Sequence, residues 1–182
     1  GVDVICWLNT RIYDETGDIE AALGWSPGIL DTNGNGVRDE WVEPDEAVDP
    51  TKDKRIVPDT YSIMPNPVDG SVWSSNNSFP GSLFRFDPKT GLGEKFNVPL
   101  PGFSSRGSDI DRNGVIWVAL ASGHLGEFDR RKCQGPLNGP EALGDHCPEG
   151  WTFHQLPGPA FVGHPEYKVD SSYYAWVDQH NT

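Results

Sequence analysis

The sequence predicts an all-β fold of β-propeller blades: about two complete blades, partial blades at both ends, and an acidic loop-rich insertion. Three observations predict it. With 21 Gly and 16 Pro among 182 residues, no long stretch is free of helix breakers. Aromatic-rich, strand-like segments alternate with turn residues. One pattern of turns and strands also occurs twice. A β-sandwich is the alternative fold.

The repeat includes two tryptophans that each follow a turn. Asp69-Gly-Ser-Val-Trp73 is matched by Asn113-Gly-Val-Ile-Trp117, about 44 residues further on. Downstream, Gly81-Ser-Leu-Phe-Arg-Phe-Asp87 is matched by Gly123-His-Leu-Gly-Glu-Phe-Asp129, and each unit then has a strand-like segment that ends in proline. A period of this length with about four strands per unit is typical of a propeller blade. Equivalent positions predict that both tryptophans pack between blades.

The repeat divides the chain into five parts. These are the end of a partial blade (1–17), the acidic insertion (18–60), a blade (61–101), a blade with a Cys-bracketed loop (102–159) and the start of a further blade (160–182). Two complete blades cannot close a ring, and open blades expose strand edges and apolar faces. We therefore expect the remaining blades of a longer chain, or partner protein subunits, to complete the structure.

Composition and motifs argue against several functions. The 14 Lys and Arg against 27 Asp and Glu give a net charge of −13, which disfavours binding to nucleic acid backbones. No apolar run is long enough to predict a membrane span. No GxSxG, HExxH, CxxCH or P-loop motif occurs, so nucleophilic hydrolysis, zincin chemistry, c-type haem attachment and phosphate cradling have no local support.

The acidic insertion contains a pattern typical of calcium loops. Residues 31–39 read Asp-Thr-Asn-Gly-Asn-Gly-Val-Arg-Asp, with side-chain oxygens at alternating positions and glycine at the sharp turn. The predicted ligands of a structural Ca²⁺ are Asp31, Asn33, Asn35, the carbonyl of Val37, Asp39 and Glu43. Glu43 lies one residue beyond the position at which an EF-hand has its glutamate, so the loop is more similar to thrombospondin type 3 or dockerin-like segments. An Asn-Gly-rich surface turn is the alternative.

Cys133 and Cys147 bracket a Gly/Pro-rich segment with little regular structure of its own. A disulfide between them would stabilise the fold by roughly 3 kcal/mol. Two reduced thiols are the alternative, and metal ligation with His146 fits the spacing poorly. Cys6 is left without a predicted partner in this chain.

The repeated motif resembles a known family. Asp-x-x-Gly-x-Ile-Trp, Gly-x-Leu-x-x-Phe-Asp, Thr-Gly and Phe-x-Val-Pro are similar to the blade consensus of streptogramin B lyase-like (virginiamycin B lyase-like) propellers, relatives of NHL-repeat proteins, with the best coverage over Asp69–Pro157. The resemblance implies the fold. For the lyase itself it implies Mg²⁺-dependent opening of a cyclic ester by a His/Glu set, which we match to no positions here, so catalysis is not carried over.

Arg106, Asp109 and His124 are candidates for ligand or inter-blade contacts, because they flank strands at the predicted rim of the ring. An Arg–Asp pair between blades and a surface hairpin histidine are the simpler interpretations. The expected function is an extracytoplasmic, periplasmic or secreted propeller module that binds or scaffolds partners and carries structural Ca²⁺. The alternative is a lyase-like metal-dependent enzyme whose catalytic residues lie outside this segment. A weaker third hypothesis is a role in an extracellular redox or carbohydrate-related complex.

Overall fold

The computed structural model describes residues 4–168 and 173–178 of the chain. Strands hold 39% of these residues and helices 10%, which confirms the predicted all-β class. The strands form sheets of eight, four and two strands, and none of the sheets in this described part closes on itself.

The N-terminal part combines a strand pair with two short helices. Its elements are β1 (Val4–Leu8), α1 (Thr10–Thr16), α2 (Ile19–Ala22), β2 (Leu23–Leu30), β3 (Trp41–Val42) and β4 (Asp53–Ile56). β1 pairs antiparallel with β2. Residues 10–16 are helical, whereas the repeat pattern predicts the end of a blade there. The Asn9 side chain accepts a hydrogen bond from the Ile12 amide and starts this helix, and Gly17, at φ 68°, ends it.

Two antiparallel meanders of four strands follow, one in each repeat unit. The first consists of β5 (Ser62–Pro65), β6 (Val72–Asn76), β7 (Ser82–Phe86) and β8 (Gly93–Asn97). The second consists of β9 (Ser105–Ile110), β10 (Ile116–Leu120), β11 (His124–Phe128) and β12 (Trp151–Gln155). A short hairpin of β13 (Ala160–Phe161) and β14 (His164–Lys168) comes next.

The turns before the two tryptophan strands have the backbone that their sequences predict. Gly70 and Gly114 have φ values of 76° and 80°, in the left-handed region that glycine adopts without strain. In the second turn, the Asp111 carboxylate accepts hydrogen bonds from the backbone amides of Asn113 and Val115. The two repeat units therefore have the same backbone conformation at these turns.

The acidic insertion extends the first meander. β2 pairs antiparallel with β4, and β4 pairs parallel with β3. Leu30, at the end of β2, pairs in parallel with Gly93 of β8, so the sheet reaches eight strands. Residues 31–40 and 43–52 form the loops of the insertion. The prediction of a loop-rich insertion missed β3 and β4 because strands of two and four residues leave little periodicity in a sequence, and it also missed the eight-residue β2.

The hydrophobic core lies between the faces of the two meanders. Trp73 and Phe96 of the first meander meet Phe128 and Trp151 of the second. The Phe96 and Phe128 rings lie 4.7 Å apart, and the Phe128 and Trp151 rings 5.0 Å apart. Aromatic pairs of this kind bury large apolar areas and stabilise beyond area alone.

The first strands of the two meanders approach each other closely. β9 lies against β5 and β6. Ser62 Oγ is 2.7 Å from Ser108 Oγ, and the Ser108 hydroxyl lies 3.3 Å from the Met64 sulfur. The short serine side chains allow the strands to lie close together. Their buried hydroxyl groups have hydrogen-bond partners across the contact.

Candidate functional site

The predicted calcium loop is wrapped around the carboxylate of Asp31. Asp31 follows β2 and is buried. Its Oδ1 accepts hydrogen bonds from the amides of Gly34 and Asn35 at 2.7 and 3.1 Å, and its Oδ2 from the amide of Gly36 at 2.8 Å. Both glycines have positive φ, 78° and 76°, which permits the tight path of the loop.

Three other predicted ligands meet at one point of the loop. The side-chain nitrogens of Asn33 and Asn35 donate to Asp39 Oδ2 at 3.0 and 2.6 Å. These bonds, from Asn35 first and then Asn33, lower the pKa of Asp39 against a small opposing effect of burial. Val37 has an exposed side chain, and its amide donates to Asn35 Oδ1.

Sequence reasoning missed Asp53, which also faces this loop. Asp53 is fully buried, and its Oδ2 accepts the backbone amide of Asp39 at 2.8 Å. Burial raises the pKa of Asp53, and the negative charges of Asp31 and Asp39 raise it further, although the Asp39 amide acts in the opposite direction. The burial of Asp53 could not be predicted from the sequence, because a single aspartate between two lysines shows no pattern of buried and exposed residues.

Glu43 is engaged away from the other predicted ligands. Its Oε2 pairs with Arg55 at 2.5 Å, and its Oε1 accepts from the Trp41 indole at 3.3 Å. The bond from Arg55 is the main cause that lowers the pKa of Glu43. Among residues 4–168 and 173–178, no group of three or more His, Cys, Asp or Glu side chains is arranged to hold a metal ion directly. Calcium binding stays a prediction.

The disulfide between Cys133 and Cys147 is present, as predicted, and Cys6 is a free, exposed cysteine. Both bridged cysteines pack against the core. The loop between them, residues 134–146, reaches the loop 31–39. Asn138 donates to Asp31 Oδ2 at 2.9 Å, and the Gly139 amide donates to the Asp31 carbonyl at 2.7 Å. Two insertions that are distant in sequence therefore meet at Asp31.

A polar cleft of about 350 Å³ lies beside this junction. Its lining includes Arg85, Glu94 and Arg130 together with Asp31 and Asn138. Arg130 makes two hydrogen bonds to Glu94, at 2.6 and 2.7 Å, and Arg85 makes a third at 3.1 Å. Both arginines of the cleft therefore already form ion pairs with a carboxylate of the protein. This arrangement is typical of a structural ion-pair network.

The three candidates for ligand or inter-blade contacts do not form one site. The Arg106 guanidinium lies 5.0 Å from the centre of the Tyr173 ring. Asp109 Oδ2 accepts the Val177 amide at 2.9 Å. His124 is buried, with Nδ1 3.0 Å from Ser122 Oγ, and burial lowers its pKa. It is therefore an interior histidine, which corrects the interpretation of His124 as a surface residue of a hairpin.

Arg106 and Asp109 both contact the segment 173–178. Gly107, between them, forms a parallel bridge with Tyr174. The sequence predicts the start of a further blade at 160–182, of which residues 169–172 and 179–182 lie outside the described part. In the remainder the structure has the short hairpin of β13 and β14 and this single bridge.

The equivalent tryptophans have different surroundings. Trp73 is 1% exposed between the meanders, whereas Trp117, on the opposite face of the second meander, is only half-buried. A cleft of about 420 Å³ remains there between Trp117 and the segment 173–178, and Trp176 in that segment is 82% exposed. The prediction that both tryptophans pack between neighbouring sheets is therefore correct for Trp73, whereas Trp117 is only partly covered.

Two histidine–carboxylate pairs were not singled out from the sequence. His154 Nε2 lies 3.0 Å from Glu127 Oε2 across β11 and β12, and His164 Nδ1 lies 3.2 Å from Glu166 Oε1 on β14. The second pair is a His-x-Glu motif, and spacing by two on a strand could have revealed it. His164, Glu166 and His154 are exposed, and side-chain contacts at the surface contribute little to stability.

Comparison with known proteins yields no match to a protein-family model, to a curated protein or to a solved structure. The helices of the described residues are all too short or too polar to cross a membrane. The disulfide is typical of proteins from oxidising compartments.

Proposed function

We propose that the chain is a β-propeller module, periplasmic or secreted, that acts as a binding or scaffolding unit within a larger protein or assembly. The observation that carries the proposal is the pair of consecutive four-stranded meanders, packed face to face with their first strands closest. Blades of a propeller are arranged in this way around a central axis. The streptogramin B lyase-like motif supports the same architecture.

The open face at Trp117 supports a role in assembly. The equivalent Trp73 is buried by the following meander, so a further blade would bury Trp117 in the same way. Tyr174 and Trp176, exposed by 59% and 82%, lie beside this face. Exposed apolar surfaces of this kind mark contacts with other chains or domains. The occupants are the remaining blades of a longer chain or partner protein subunits.

Structural Ca²⁺ in the loop 31–39 belongs to the same proposal. The loop backbone holds Asp31 as oxygen-rich calcium loops do, and the side chains of Asn33, Asn35 and Asp39 meet at one point. The ion would stiffen the acidic insertion. It would have no part in catalysis.

The assembly role is tested by comparing two substitutions at equivalent positions. We expect the isolated chain to self-associate as its concentration rises, because the Trp117 face is open. Trp117→Ser should reduce this association and leave the fold intact, measured by light scattering and circular dichroism. Trp73→Ser should instead destabilise the fold by about 3–5 kcal/mol, because it removes a buried aromatic side chain.

A stable, monodisperse monomer of 20.0 kDa at all concentrations would contradict the assembly role. The intact mass of the polypeptide in its native source separates the two kinds of occupant. A much larger mass indicates further blades in the same chain, and a mass of 20.0 kDa indicates partner subunits.

A further inference from the structure

We propose that Asp53 is the carboxylate ligand that completes the calcium site of the loop 31–39, in place of Glu43, and that the bound ion fixes the loop 134–146 to the acidic insertion. This inference rests on the calcium part of the proposed function. The inferred donors are oxygen atoms of Asp31, Asn33, Asn35, Val37, Asp39 and Asp53.

The first argument is the unsatisfied oxygen of Asp53. The residue is fully buried, and its Oδ2 is used by the Asp39 amide. Its Oδ1 has no hydrogen-bond partner among the described residues. A buried carboxylate with an unpaired oxygen is costly, because it has lost its hydration without a compensating partner. A cation held by the adjacent loop would supply that partner.

The second argument is the negative charge around Asp53. The antiparallel ladder of β2 and β4 ends with Leu30 opposite Lys54, so Asp31 and Asp53 are the residues just beyond its last pair. The negative charge of Asp31 acts on Asp53, and so does that of Asp39, whose backbone amide donates to Asp53 Oδ2. Like charges that lie close together are destabilising. A divalent cation between these groups would convert mutual repulsion into attraction.

The third argument is the chemistry of the donors. Asp53 brings the number of inferred oxygen donors to six, including the Val37 carbonyl, and Ca²⁺ takes six to eight oxygens in a flexible geometry. In the described residues the carboxylates of Asp31, Asp39 and Asp53 do not surround a common point, and the nitrogens of Asn33 and Asn35 point at Asp39. Binding therefore requires the loop to close around the ion and these two amides to rotate and present oxygen instead. Glu43 is unsuited to the role because Ca²⁺ would have to displace the Arg55 guanidinium from its Oε2, whereas the partners of Asp31 are neutral amides that leave its charge uncompensated.

The position of Asp31 explains the link to the second meander. Asn138 and Gly139, inside the disulfide-closed loop, bind the side chain and the backbone of Asp31. An ion that fixes Asp31 therefore also fixes these two contacts, so the calcium loop and the loop 134–146 become one rigid unit.

The test is calorimetric titration of the oxidised 182-residue chain with CaCl₂. The wild type is compared with Asp53→Asn and with the control Glu43→Gln. We expect Asp53→Asn to weaken calcium binding at least tenfold, and Glu43→Gln to change it less than twofold. Thermal unfolding in a chelator is measured for all three proteins. There Asp53→Asn should be at least as stable as the wild type, because a neutral amide relieves the repulsion from Asp31 and Asp39.

The outcomes separate this inference from the proposed function. If the wild type binds calcium and only Glu43→Gln loses it, Asp53 is not the ligand, although the calcium site stands. If Asp53→Asn is less stable than the wild type in chelator, Asp53 has a structural role without the ion and the inference is overturned. If the wild type binds no calcium, the calcium part of the proposed function fails as well, while the assembly role is unaffected.

Discussion

Arg85 is the centre of the most enclosed ion-pair network in the described residues. Its side chain is 10% exposed and contacts carboxylate oxygens of Asp69, Asp87 and Glu94 at 2.9, 3.4 and 3.1 Å. Burial alone would lower the pKa of Arg85, but Glu94 and then Asp69 and Asp87 raise it. The guanidinium is therefore charged at all relevant pH values, and loss of one carboxylate leaves a buried charge less well compensated.

Asp69→Asn should destabilise the fold in a pH-dependent way. Burial opposes ionisation of Asp69, but hydrogen bonds from Ser71 and Arg85 outweigh it and lower the pKa to about 2. Since this lies below the usual 3.8, the stabilisation is complete above about pH 5 and is lost as the pH falls towards 2. The side chain is 39% exposed, so after solvent screening we expect a loss of about 1 kcal/mol at pH 7.

Denaturant unfolding at pH 7 and pH 3 measures this effect, with the exposed Glu15→Gln as a control. A loss that is equal at the two pH values would show that Asp69 acts through its shape and its hydrogen bond to Ser71 rather than through its charge. Glu15→Gln should change stability little at either pH, because surface substitutions away from specific contacts are usually neutral.

The element that depends most on a covalent link is the loop 134–146. Apart from the disulfide, it is held by a few contacts, among them the Asn97 amide to the Gly144 carbonyl at 2.9 Å and the two bonds to Asp31. Leu137 and Ala142 supply limited apolar packing. Its conformation therefore relies on closure of the loop by the bridge.

Cys133→Ser should lower the free energy of unfolding by about 3 kcal/mol, as expected for a disulfide that closes a loop of this length. Under oxidising conditions, the variant should also be cut by proteases within residues 134–146 much faster than the wild type. Denaturant unfolding and limited proteolysis measure the two effects. Cys6→Ser is the control, since Cys6 is exposed and unbridged. Equally fast cleavage of the wild type would show that the bridge does not order this loop.

At the scale of the whole molecule, two insertions connect regions that the repeat alone would leave apart. The acidic insertion adds β2, β3 and β4 to the outer strand of the first meander, and the disulfide-closed loop extends from the second meander to the same place. The contact at Asp31 joins them outside the aromatic core. The rigidity of the molecule therefore depends on the state of the acidic loop as well as on the core.

Calcium should slow hydrogen exchange of the Gly139 amide, which donates to the Asp31 carbonyl at 2.7 Å. We expect at least a fivefold slowing between chelator and saturating calcium, because fixing Asp31 suppresses local opening of this bond. The Val118 amide, deep in the second meander, is the internal control and should be unaffected. Binding without any change at Gly139 would show that the two loops move independently.

The strand content, the two repeat units, their glycine turns and the disulfide partners could all be predicted from the amino-acid sequence. These features follow from local rules: Asp-Gly and Asn-Gly favour positive φ, alternation marks strands, and two cysteines around a Gly/Pro-rich segment favour a bridge. Most of the oxygen-rich loop was also predictable, because its oxygen-bearing side chains lie within nine residues of one another. The first helix was missed, since the repeat pattern outweighed the capping signals of Asn9 and Gly17.

Which distant groups come into contact could not be predicted from the sequence and depends on the folded chain. It brought Asp53 and Asn138 to the loop of Asp31, buried His124, and left Trp117 half-open although Trp73, at the equivalent repeat position, is enclosed. These outcomes depend on strand pairing and on which face the next sheet covers, neither of which is encoded in local spacing. The physical reason is that burial and like-charge proximity are properties of the assembled fold.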